Sequence, residues 1–144
     1  MRYFLDAEFN GFCGDLVSLA LAPEDDSAPP FYEAIVCLAP EPWVAAHVIP
    51  VLRTRPRPRR EVAEAFADFL AADGDPLIVA DWPEDIANAA RLLVIGPGQM
   101  LGVPRLRFEL VDFFDFNSAA ASTLPHNAYH DALALRLHVL ERER

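Results

Sequence analysis

The chain has 144 residues, 53% of them hydrophobic, and a formal net charge of −10. A chain of ~150 residues buries roughly 68 to 70% of the surface it exposes when unfolded, enough for one core and too little for two. The hydrophobic share excludes a disordered chain, no apolar run approaches the ~20 residues of a membrane-spanning helix, and no basic segment leads into an apolar signal stretch. A single soluble domain over residues 1–144 is expected, cytoplasmic by default and without a membrane partner.

Only Cys13 and Cys37 occur, which excludes a disulfide framework, and their spacing matches no zinc motif. A net negative charge ordinarily argues against a polyanionic partner. Here all twelve cationic residues are Arg, the type that grips phosphate with a two-pronged fork, and five crowd into Arg53, Arg55, Arg57, Arg59 and Arg60. Acidic residues that bind divalent ions also reverse their local sign. Overall charge is therefore a poor guide to the working face.

Arg2 to Phe9 reads as a first strand. Side chains alternate along a strand, so Asp6 and Glu8 share a face. Two adjacent carboxylates in an apolar strand raise each other's pKa and oppose folding unless something positive offsets them. Mg²⁺ or Mn²⁺, which take hard oxygen ligands, would do so. The plain alternative is an edge strand with a solvated face. After the turn residues Gly11 to Gly14, Leu16 to Ala22 is an apolar second strand joined as a hairpin. Pro23 to Pro30 is a polar loop, and Phe31 to Leu38 completes a three-strand meander. Trp43 to Leu52 predicts a short helix stopped near Pro50. Arg53 to Arg60, interrupted by Pro56 and Pro58, predicts an exposed basic loop, either solvated, tracking phosphates or contacting a second copy.

Glu61 to Ala72 is helical, with Val62, Phe66, Phe69 and Leu70 forming one apolar stripe. Leu77 to Ala80 is a short continuous apolar run, the mark of a strand buried on both faces, and it leads into Asp81-Trp82-Pro83-Glu84-Asp85. Pro83 suits a first helical turn, so Asp85 falls in the opening of a helix over Pro83 to Val94. Asp81 either caps that helix or faces a ligand. Gly96 to Gly98 is a turn, Arg105 to Val111 a strand with Leu106, Phe108 and Leu110 on one face, and Asp112 and Asp115 are strand-end and turn residues. A last helix runs from Asn127 or Ala128 to Glu141. The order predicts an α/β fold: a mixed sheet in which the antiparallel meander is continued by parallel crossover strands with helices on the faces. Sites in such sheets gather at strand carboxyl ends, where Asp6, Glu8 and Asp81 fall.

His126 precedes the last helix and Asp131 comes one turn later on it, so both can reach one cleft. At this full set the sequence resembles the DEDDh class of 3′-to-5′ exonucleases in the ribonuclease H-like superfamily. That class includes ribonuclease T, oligoribonuclease and polymerase proofreading subunits. Its Asp-x-Glu motif stands here as Asp6-Ala7-Glu8, and its helix-opening Asp as Asp85, four residues past Asp81. Its His, four residues, Asp motif is His126 and Asp131, with Ala132 and Ala134 following. Trp43 to Pro50 is similar to a segment of the short, stand-alone, mycobacterial-type exoribonucleases.

The resemblance implies two Mg²⁺ or Mn²⁺ ions held by Asp6, Glu8, Asp85 and Asp131, with neutral His126 as general base. It implies removal of 3′-terminal nucleotides from short single-stranded RNA or 3′ overhangs, single-stranded DNA remaining an alternative, and a homodimer. Phe9, Asn10 and Asp81 are the candidate substrate contacts; an aromatic ring suits sequence-tolerant stacking. Two other readings stand beside it. One is a catalytically weak nucleic-acid-binding or regulatory module on the same fold. The other is a zinc hydrolase using His126, His130 and Asp131, although no Glu lies between the two histidines as helical zinc hydrolases require. His130 otherwise reads as solvated, and His47 and His138 as structural or exposed.

Overall fold

The computed structural model describes residues 1–111 and 114–144; Asp112, the expected end of a strand, lies outside the described residues. The principal sheet has five strands in the order β3-β2-β1-β4-β7. They are β1 (Arg2–Phe9), β2 (Leu16–Pro23), β3 (Phe31–Ala34), β4 (Leu77–Ala80) and β7 (Arg107–Leu110). β1 is antiparallel to β2 and β2 to β3, whereas β4 is parallel to both β1 and β7. The expected mixed α/β sheet, a meander extended by parallel strands, is what the chain forms. No helix among the described residues is long and apolar enough to cross a membrane.

Strand alternation sorts the core. Tyr3, Leu5 and Ala7 face one layer, where they pack with α2 (Arg59–Ala71) and α3 (Pro83–Leu92) through Val62, Phe66, Leu70, Ala89 and Leu92. Phe4 faces the other, against Ala128, Ala132 and Leu135 of α5 (Ala128–Arg142). Asp6 and Glu8 continue the Phe4 row, so the chain's own alternation aims both acids at the α5 side. Phe66 is fully buried, with Phe31 at 5.4 Å between ring centroids.

Several elements differ from expectation. β3 ends at Ala34 rather than Leu38, because beyond it Ile35 bridges to Arg57 and the chain then leaves the sheet, with Leu38 93% exposed. The helix expected over Trp43 to Leu52 is α1 (Pro42–His47) followed by a separate 3-10 turn over Ile49–Val51; Pro50 has no N–H with which to continue the α ladder. α2 starts at Arg59, two residues earlier than expected, with Pro58 as its N-cap. Beyond α3 the turn at Gly96 to Gly98 joins β5 (Val94–Gly96) to β6 (Gln99–Met100) as a small hairpin, with Gly98 at φ +65. A short helix, α4 (Ser118–Ala121), was not anticipated; Asn117 caps it by accepting from Ala120 N at 3.0 Å.

Deleting the Phe66 ring removes contact with both sheet and helices, and Phe66→Ala is expected to cost about 3 to 5 kcal/mol. Urea unfolding of the variant checks this, and a loss under about 1 kcal/mol would mean that the core collapses to fill the void.

Candidate active site

A cleft of about 290 Å³ opens at the carboxyl ends of β1 and β4. It is lined by Asp6, Glu8, Phe9, Asp81, Trp82 and Asp85, by His126 and Asp131, and by the segment from Phe116 to Ala119. Five carboxylates thus share one opening, and no Arg is among its lining residues. Each arrives for a local reason. Asp6 and Glu8 end the central strand, Asp81 follows β4, and Asp85 and Asp131 stand in the first turns of α3 and α5. Acids are stabilised there by the helix dipole.

Asp6, Asp85 and Asp131 are buried, and Glu8, Asp81 and His126 half-buried. Oδ2 of Asp6 and Oδ1 of Asp131 have no hydrogen-bond partner among the described residues. The electrostatics follow. Burial, then the charges of Asp85, Glu8, Asp131 and Asp81, push the Asp6 carboxyl well above its ordinary range. Burial, then Asp81, Glu8 and Glu84, does the same to Asp85. Glu8 is pushed up to about 8 by burial and then by Asp131. Asp81 and Asp131 also shift upward, chiefly through burial. Unpaired buried acids are expensive, and a divalent cation is the partner that this oxygen-rich donor set fits.

Glu8, His126 and Asp131 offer ligand atoms within 4.8 Å of one another. Asp6 and Asp85 line the same cleft outside this tightest group. His126 sits at φ +65, a left-handed conformation unusual for a residue with a β-carbon, and its N–H donates to Asp131 Oδ2 at 3.1 Å. Its ring meets Trp43 edge-on at 4.8 Å, and Trp43 stacks on His47 at 4.7 Å. Asn127, 1% exposed, anchors the turn. Its Oδ1 accepts from Tyr129 N and His130 N, and its Nδ2 donates to Val51 O at 2.8 Å and to Tyr32 Oη at 3.2 Å.

Of the residues singled out from sequence, Asp6, Glu8, Phe9, Asp81, Asp85, His126 and Asp131 meet in the cleft. Asn10 does not. Its side chain ties the β1–β2 loop to the segment before α1, donating to Ala39 O at 3.0 Å and accepting from Glu41 N at 2.7 Å. Asp81 is not the cap of α3: the N-cap is Trp82, without a side-chain bond. His130 faces Thr123, hydrogen-bonded at 2.7 Å, and is not in the group of possible metal ligands. His47 and Trp43 support His126, and Phe116 to Ala119 form a cleft wall. Asn117 ahead of Ser-Ala-Ala-Ala was the available signal for that wall, as a helix cap before helix formers. No family model matches the chain, and comparison with curated proteins finds no match.

The upward shifts give the metal-free protein a definite pH dependence. Between pH 4.5 and about 8 the folded state keeps a proton on Glu8 that the unfolded chain has released. That contribution to stability is complete below pH 4.5 and is lost as pH rises through about 8. The other cleft acids act in the same direction. Thermal melts in a chelator should therefore show Tm falling across this window. Mn²⁺ at about 100 times its Kd should add about 2.7 kcal/mol, roughly 5 to 10 °C in Tm, and more at the alkaline end. A chelated Tm that climbs steadily across the window would contradict the reading.

Proposed function

We propose that the chain is a divalent-metal-dependent 3′-to-5′ exonuclease of the DEDDh, ribonuclease H-like type, acting on single-stranded RNA. The observation that carries this is the convergence of Asp6, Glu8, Asp85 and Asp131 on one cleft, with His126 at its edge. They come from three distant segments of the chain. The strand order, with the acids at the ends of β1 and β4, also suits the reading.

Asp6, Glu8, Asp85 and Asp131 would hold the Mg²⁺ or Mn²⁺ ions. When bound, such ions offset the carboxylates and stabilise charge on the phosphate and on the attacking and leaving oxygens. His126 takes a proton from the attacking water through a ring nitrogen, and the water oxygen bonds to phosphorus as the bond to the upstream 3′-oxygen breaks. A nucleoside 5′-monophosphate leaves, and the shortened strand keeps a 3′-hydroxyl once its oxygen is protonated. Asp131 Oδ2 orients this step by fixing the backbone N–H of His126 at 3.1 Å. Phe9 and Trp82, both lining the cleft, flank the terminal nucleotide.

A 5′-labelled RNA oligonucleotide with Mn²⁺ should shorten as a ladder from its 3′ end, and Asp6→Asn should abolish the ladder. Intact substrate with the unaltered protein would dispose of the reading, and matched DNA would set the sugar preference. The close grouping of Glu8, His126 and Asp131 favours one second reading, in which His126 is a metal ligand. His126→Ala separates the two. As general base, it leaves Mn²⁺ affinity by calorimetry nearly unchanged while kcat falls about 10²- to 10⁴-fold. As ligand, affinity and activity fall together.

A further inference from the structure

Twelve arginines stand against twenty-two acids in this chain, and half of the arginines are paired with a carboxylate among the described residues. Arg2, Arg60, Arg107, Arg136 and Arg142 each pair with a carboxylate, and Arg57 is held by Glu33 at 2.9 Å and Glu61 at 3.4 Å. Arg53 and Arg55 are exposed and have no acidic partner among the described residues. A solvated charge run needs no particular placement, but this pair has one.

The segment that carries it begins at the cleft. His47 lies 6.3 Å from the His126 ring, and Val51 O accepts from Asn127, the residue next to His126. Leu52 O accepts from Tyr32 Oη at 2.7 Å. Arg53 follows at once, with its backbone fixed on the preceding side and at φ +49, where glycine would be free of strain. The segment ends at Arg57, whose N–H donates to Ala34 O at 2.9 Å. Register sets the distance: Ala34 pairs with Ser18, and Ser18 with Glu8. Arg57 is therefore level with Glu8 and three strand spacings away, about 14 Å. Arg53 and Arg55 lie on the path between the rim at His126 and that outer edge.

We propose that Arg53 and Arg55 form a phosphate track that holds single-stranded nucleic acid upstream of the 3′ end seated in the carboxylate cleft. The assignment rests on the exonuclease reading for the position of the 3′ end; the phosphate contacts themselves do not. Two exposed guanidinium forks without an acidic partner, on the segment that runs from beside Asn127 to the outer edge of the sheet, are the local attraction for a strand whose approach the net charge of −10 opposes. They act only on substrates long enough to reach them. The track therefore favours strands of several nucleotides over dinucleotides.

The test compares the unaltered protein with R53Q/R55Q, using a 5′-fluorescein octanucleotide and the matching dinucleotide. Octanucleotide binding, read by anisotropy without added metal, should weaken roughly 2- to 30-fold. The slope of log K against log salt should lose about 1.4, the contribution of two single-strand phosphates. With Mn²⁺, the preference for octanucleotide over dinucleotide in kcat/KM should shrink by a similar factor. R53K/R55K should recover most of the salt slope, which separates lost charge from a disturbed fold. Unchanged affinity and slope in R53Q/R55Q overturn the track while leaving the cleft reading intact. A drop in mass by light scattering with unchanged affinity assigns the pair to a contact between copies and overturns it too. If the unaltered protein cuts no oligonucleotide yet the binding differences appear, the track stands and the exonuclease reading falls.

Discussion

The mutual repulsion of desolvated carboxylates at the end of β1 is the constraint on which the rest of the structure turns. β1 is the middle strand, hydrogen-bonded to β2 and β4 and covered on both faces. Asp6 has no route to water along the sheet, and Phe4 before it is sealed against α5. The fold supplies some relief, because α3 and α5 both direct their N-termini at the cleft and each carries an acid in its first turn. Each helix end is worth about 0.3 to 1 kcal/mol to a nearby anion. Several kcal/mol are at stake for each buried charge, so two helix ends cannot balance five carboxylates. Protons or divalent cations must make up the difference. The raised carboxyls describe the first solution and the oxygen-lined cleft provides for the second.

The same economy explains the turn before α5. His126 is held in a left-handed conformation, which carries a strain of order 1 to 3 kcal/mol unless its surroundings enforce it. Asn127 does the enforcing. One buried amide caps α5, binds the carbonyl of Val51 and meets the Tyr32 hydroxyl, so the helix start, the 3-10 turn and β3 are tied at one point. Trp43 then closes on the His126 ring from α1. The imidazole is placed by contacts from three parts of the chain, although its immediate sequence context suggests only a loop residue.

This difference between local and distant causes marks what was legible in the sequence. Asp6 and Glu8 could be put on one face because strand alternation is a short-range rule, and Asp85 at the opening of α3 because Pro83 suits a first turn. Grouping Asp85 and Asp131 with them rested on the resemblance in motif order. That β4 is a buried strand of a mixed sheet followed from its apolar run and the helix after it; its place beside β1 is set by long-range pairing that the run itself does not carry. Asn10 does not line the cleft because its amide is used by Ala39 and Glu41, about thirty residues on, and nothing near Asn10 in the sequence announces them. The early end of β3 has a similar cause, since Ile35 is claimed by Arg57 across the chain. Asp81 reads from sequence as either a cap or a ligand contact because Pro83 opens the helix; Trp82 takes the cap position and leaves Asp81 to the cleft. The role of Trp43 and His47 was invisible for want of any periodicity linking them to His126.

Charge is distributed along the same lines, which is why a single net value misleads. Several remote acids are paired with arginine: Glu24 and Glu143 with Arg2, Glu33 and Glu61 with Arg57, Glu64 with Arg60. Most of these pairs are exposed and worth little each, but they cancel charge locally. The cleft acids have no such partners, and Arg53 and Arg55 have none either. A buried negative cluster and an exposed positive segment are thus among the groups left without an oppositely charged partner, and Arg57, where that segment ends, stands three strand spacings from Glu8 by the register of β1, β2 and β3. At roughly 0.15 M salt the Debye length is ~8 Å, so each region acts on what touches it and screens little of the other's work. On the proposed reading, a polyanion held by the arginines would meet the acids with a cation between them, and the metal would then be a condition of access as well as of chemistry.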